Sequence, residues 1–126
     1  MSIQKYFKDK FYDLVLKKNL SVTLNQTDCQ LELMDEGKTL CLHALLYETG
    51  KGFSESFLLG VEGLEDKGLL IDSKMGQILI ARKHYFDEMT PEYFSLRLAQ
   101  FFSEIQKYRK EIDGFKGKEY AFIRKS

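Results

Sequence analysis

The sequence predicts an α+β fold in the order α-β-β-β-α-β-β-α, a twisted antiparallel sheet packed by an N-terminal and a C-terminal helix. Three observations carry this. Apolar residues recur at helical spacing near both ends of the chain, the middle holds short runs at strand spacing, and glycine-bearing turns separate those runs. With 126 residues the chain is long enough for one core without metals or disulfide staples, so a single domain is expected over 1–126.

The elements follow in order. Ile3, Phe7, Phe11, Leu14 and Val15 mark an amphipathic helix over 3–18, with Ser2 as its N-cap and Lys17-Lys18 at the negative end of its dipole. Three strands come next: "LSVTL", "CQLELM" and "TLCLHALLY". "DEGK" turns the second into the third, with Gly37 available for positive φ. The third strand is apolar on both faces, Leu40, Leu42, Ala44 and Leu46 against Cys41, His43, Leu45 and Tyr47, which predicts a central position. "FSESFLLGVEGLEDKG" then reads as a short helix capped by Ser54, with Phe57, Val61 and Leu64 on one face. Gly60 and Gly63 lie inside it, each at a cost of about 1 kcal/mol relative to Ala. "GLLID" and "QILIARKHYF" flank "SKMG", a hairpin with Gly76 placed for a left-handed turn residue. Thr90-Pro91 starts the last helix, along which Phe94, Leu98, Phe101, Ile105, Tyr108 and Ile112 repeat. Burying such side chains stabilises by ~1.5–3 kcal/mol each, so this helix is expected to be the main core element. Gly114 is expected to end it, and the tail over 114–126, which holds the basic "FKGKEYAFIRKS", is expected to fray or to add a short strand.

Composition narrows the function. Nineteen basic and nineteen acidic residues cancel, so no field of one sign argues for nucleic-acid or membrane-surface binding. The N-terminus lacks the apolar run of a signal peptide, and no segment reaches the roughly 20 apolar residues that span a bilayer, so a cytoplasmic protein without membrane insertion is expected. Cys29 and Cys41 are then expected as reduced thiols.

Signals of chemistry are thin. Cys29, Cys41, His43 and His84 are the only cysteines and histidines. They lack the close C-x-x-C spacing of a structural zinc module, and thiols and histidines on strands usually belong to packing. Nothing marks an activated thiolate or an oxyanion hole. "GLEDKG" lacks the phosphate-loop pattern, and Asp35-Glu36 and Asp87-Glu88 lie in turns where solvated roles are the default. No catalytic residue, metal or cofactor is expected, and the protein is read as a non-enzyme. What remains is surface. The first helix carries Tyr6 and Tyr12 beside its core stripe. Ser56, Gly60 and Gly63 form a small-residue strip that suits either a tight contact within the chain or a second subunit.

From "SFLLGVEGL" through "KGLLIDSKMGQILIARKHYFDEMTPEYFSLRLAQFFSEIQKYRKEI", the sequence resembles the small ATP-independent class I chaperones of bacterial type III secretion. The resemblance is one of pattern and covers roughly residues 3–113. It implies a dimer formed through the second helix and neighbouring strand, here Phe57, Gly60, Val61, Leu64, Leu69 and Ile71. It also implies a client, the N-terminal segment of a secreted effector or gatekeeper protein, held extended. That client would lie on the first helix and early strands, at Tyr6, Val22, Thr23, Leu24, Leu31, Leu33 and Leu45. Members are often acidic and this chain is neutral. Its compact early strands look like the subgroup serving the gatekeeper (plug) protein, whose members act as homodimers or as heterodimers of two small chaperones. The rival reading is a regulatory protein that couples secretion to gene expression by binding a transcription component. A client that co-purifies as an unfolded N-terminal segment separates the first from the second.

Overall fold

A computed structural model describes the backbone of residues 2–125 and the side chains of residues 2–115. The element order is α1 (Ile3–Lys17), β1 (Asn19–Leu24), β2 (Thr27–Met34), β3 (Thr39–Glu48), α2 (Glu55–Val61), a 3-10 helix (Glu62–Lys67), β4 (Leu69–Asp72), β5 (Gln77–Tyr85) and α3 (Pro91–Lys125). The five strands form one sheet in the order β1-β2-β3-β5-β4. The α+β expectation holds, and β3 is central as its two apolar faces predicted. Contacts divide the chain into two compact units, Met1–Ala44 with Ala81–Glu104 and Leu45–Ile80 with Ile105–Ser126.

In the first unit, Ser2 caps α1 by accepting the Lys5 N–H at 3.2 Å, and Lys18 closes the helix in the left-handed region with φ 69°. Asn25 and Gln26, both at positive φ, turn β1 directly into β2, so that Leu24 pairs with Thr27, Val22 with Cys29 and Leu20 with Leu31. The next register sets Leu31 opposite Leu42 and Leu33 opposite Leu40, which gathers the apolar residues of three strands on one face. Phe7 and Leu14 of α1 and Phe94, Leu98, Phe101 and Phe102 of α3 are buried with them. Phe7 stacks on Phe102 with centroids 5.7 Å apart and planes within 8°. Phe11 meets both Phe86 and Phe94 at 5.5 Å. Thr90 caps α3 as predicted, its hydroxyl accepting the Tyr93 N–H at 3.1 Å.

In the second unit, Ser54 caps α2 by accepting the Phe57 N–H at 3.3 Å. The helix is shorter than its sequence suggested. After Val61 it tightens into the 3-10 turn, which ends at Gly68 with φ 84°. Gly76 occupies the hairpin position assigned to it, at φ 68°, and a Cβ there would run into the Lys51 carbonyl oxygen. Leu69 and Ile71 of β4 pair with Ile80 and Ile78 of β5.

Gly114 does not end α3, which runs on to Lys125, so the backbone over 114–125 is helical and adds no strand. The reason is packing on both sides of the glycine. Ile112 is buried, and the Phe115 ring lies against Gly60. Those contacts outweigh the ~1 kcal/mol that a glycine costs inside a helix. The basic side chains beyond Phe115 and residue Ser126 lie outside the described residues.

The same contact answers what the small-residue strip touches. A Cβ on Gly60 would stand 3.2 Å from Cδ1 of Phe115, whereas one on Gly63 meets nothing within 4 Å. Gly60→Leu is therefore expected to destabilise the fold by about 1–3 kcal/mol through overpacking. Gly63→Ala is expected to stabilise it by roughly 0.4–1 kcal/mol. Urea melts check both, and the Gly60→Leu penalty should shrink in a Phe115→Ala background.

Candidate functional site

The residues assigned to a client fall into two groups. Val22 and Leu31 are fully buried in the core beside α1, so they are corrected from surface to core. Their strand parity decides this: they share the inward face with Cys29 and Leu42. Thr23 is exposed, Tyr6 and Leu24 are half-buried on α1 and β1, and Leu33 is half-buried on β2, opposite Leu40 of β3. Leu45, on the opposite strand face, is 39% exposed.

The outward surface of β1 and β2 is polar rather than apolar. Thr23 donates its hydroxyl to Asp28 at 2.6 Å, and the Gln30 amide donates to the Ser21 hydroxyl at 2.6 Å. These cross-strand bonds fasten the hairpin side to side. Its open flank is a different matter, because β1 is an edge of the sheet. The Tyr6 hydroxyl donates to the Thr23 carbonyl at 3.1 Å, so α1 reaches that flank. Nearby, Ile3, Gln4, Phe7, Lys8, Glu92, Ser95, Leu96 and Ala99 line a groove of about 220 Å³.

The residues assigned to a subunit interface are mostly spent inside the chain. Phe57, Val61, Leu64 and Leu69 are buried, and Gly60 is covered by Phe115. Phe57 closes an aromatic cluster with Phe53 at 4.8 Å and Tyr47 at 5.5 Å. Ile71 is half-buried. Those buried side chains are thus no surface for a partner in this conformation. The exposed apolar groups of the same elements are their neighbours, Leu59 at 66% and Leu70 at 57%. Sequence reasoning missed both. In "LLI" every residue is apolar, so only the pairing of Leu70 with Leu79 reveals that it faces away from Leu69 and Ile71.

Cysteine chemistry finds no support in the geometry. Both thiols are buried and unbridged. Burial, reinforced by Cys41, pushes the Cys29 thiol up to about 12, so it is protonated at neutral pH. Cys29 and Cys41 stand on strand positions of opposite parity, and no group of three or more His, Cys, Asp or Glu side chains among the described residues is arranged to hold a metal. His84 lies beside the Arg82–Glu104 ion pair of 2.7 Å. Burial first, and then Arg97, lower its pKa. No helix among the described residues is long and apolar enough to cross a membrane.

No protein-family model matches the sequence, and no curated protein matches it. Among solved structures, the helix and sheet arrangement is shared with a component of a chaperone–effector complex. That complex is HopA1–SchA, matched at 15% sequence identity with a TM-score of 0.53, over 86% of this chain and 94% of the other. A likeness at this identity is one of fold.

Proposed function

We propose that this chain is an ATP-independent type III secretion chaperone that binds the N-terminal segment of a secreted effector or gatekeeper protein and keeps it competent for export. The observation that carries the reading is the shared fold with a component of a chaperone–effector complex, over 86% of the chain. An open sheet edge at β1, bordered by the half-buried Tyr6 and Leu24, supports it. Main-chain pairing along such an edge supplies affinity with little demand on sequence, and alternate side chains supply selectivity. The working form is a dimer, with itself or with a second small chaperone, and the exposed Leu59 and Leu70 are the residues of α2 and β4 available for that contact. The gatekeeper-serving subgroup and a cytoplasmic location belong to the same proposal.

Affinity capture from the native cell, followed by reconstitution with the captured segment, tests it. An unfolded N-terminal segment of a secreted protein is the expected client. A folded transcription component captured in its place would overturn the reading in favour of a regulatory one. With the segment in hand, Thr23→Glu and Leu45→Asp should each weaken binding about tenfold or more, while light scattering still reports a dimer and melting curves stay close to wild type. Both positions are exposed, so a charge there desolvates only under a client; the carboxylate of Thr23→Glu also stands opposite Asp28 in place of the Thr23–Asp28 bond, which is expected to cost about 0.2–1 kcal/mol. Unchanged affinity in both variants would remove them from the client surface.

A further inference from the structure

The hydrogen-bond phase of the edge strand β1 is set by its turn. Asn25 and Gln26 have φ of 50° and 65°, the two-residue hairpin turn that makes Leu24 and Thr27 the closing hydrogen-bonded pair. Backbone groups then alternate. Leu24, Val22 and Leu20 direct theirs to β2, while Thr23, Ser21 and Asn19 direct theirs to the open edge. The Leu33 N–H on the Lys18 carbonyl, 2.8 Å, keeps the same phase at the far end. One outward acceptor is already occupied, since the Thr23 carbonyl takes the Tyr6 hydroxyl at 3.1 Å. Tyr6 is held in place by the Phe7 ring, 5.7 Å away, and by the Lys10 ammonium 5.3 Å from its own centroid.

We propose that Tyr6 guards the free edge of β1, holding the Thr23 carbonyl until an extended polypeptide replaces the phenol with its own N–H. This rests on the chaperone reading, in which an extended client pairs with that edge. The phase also states the chemistry of the occupant. Client residues opposite Asn19, Ser21 and Thr23 lie on the face that carries the Thr23–Asp28 and Ser21–Gln30 bonds, so polar side chains suit them. The residues between them fall beside the half-buried Leu20 and Leu24, so apolar side chains suit those. A strand that pairs only with Asn19 and Ser21 leaves the phenol where it is. One that continues to Thr23 must displace it. Tyr6 thereby sets how far pairing extends, and in the free protein it blunts an edge that would otherwise invite self-pairing.

The probe is a nine-residue strand of alternating valine and threonine with a lysine at each end, fused to the N-terminus of the full chain through a glycine–serine linker. The tether gives it an effective concentration in the millimolar range. Amide hydrogen exchange at Ser21 and Thr23 is read in the wild type and in Tyr6→Phe, each with and without the strand. The phenylalanine keeps the ring against Phe7 and removes only the hydroxyl. The expected result is slowed exchange at both amides on fusion, with Thr23 slowed about 2- to 10-fold further in Tyr6→Phe, the range of one competing hydrogen bond. Equal slowing in the two proteins would overturn the guard and leave strand pairing standing. No slowing in either would overturn pairing at β1, and with it both the guard and the edge-binding mode of the client.

Discussion

Val61→Asp is expected to destabilise the fold of the chain itself rather than to release monomers of wild-type stability. Val61 is 0% exposed, on the buried face of α2 in the second unit. An aspartate there loses the valine packing and leaves a carboxylate unpaired among apolar groups, a penalty on the order of 3–5 kcal/mol. Domains of this kind have only ~5–15 kcal/mol to lose. Circular dichroism with light scattering at neutral pH checks the result, and a folded monomer would instead return Val61 to a subunit interface. The pH dependence carries a further sign. Burial raises the pKa of the new carboxyl in the folded state above its unfolded value, so folding with the proton bound is the favoured form. The variant's deficit is therefore smallest below the unfolded value of about 3.9 and grows as pH rises above it.

Phe101→Ala is expected to cost on the order of 3–5 kcal/mol, the usual penalty for truncating a buried phenylalanine. The side chain is 1% exposed on the inward face of α3, among Phe94, Leu98 and Phe102. Truncation leaves a cavity in a region where Phe102 already stacks on Phe7, so the surrounding rings have little freedom to collapse into it. Urea denaturation should show a large fall in midpoint with little change in slope. A loss below about 1 kcal/mol would mean that the void refills.

The local signals in the sequence carried through wherever the physics was local. Ser2, Ser54 and Thr90 each cap the helix that follows them, because a hydroxyl at that position satisfies an amide within three residues. Gly76 turns the hairpin because its left-handed φ is a property of one residue. The spacing from Phe94 to Ile112 predicted a buried helix face, and all six residues are buried. The candidate surfaces were less legible. The resemblance implied a client surface on the first helix and early strands, yet Val22 and Leu31 turn inward and the outward side of β1 and β2 carries the Thr23–Asp28 and Gln30–Ser21 bonds. Continuous apolar stretches such as "LLI" carry no parity of their own.

The order of the elements, their caps and turns, and the face that α3 buries are all legible in the sequence, since each depends on neighbours a few residues apart. The tertiary structure alone decided three further things: that Gly60 makes room for Phe115 of the same chain, that α3 continues through Gly114, and that β1 is an edge reached by Tyr6. Each of these depends on which distant segment arrives beside a given backbone. That choice is made by the strand order and register that bury the most apolar surface together, and no local pattern encodes it.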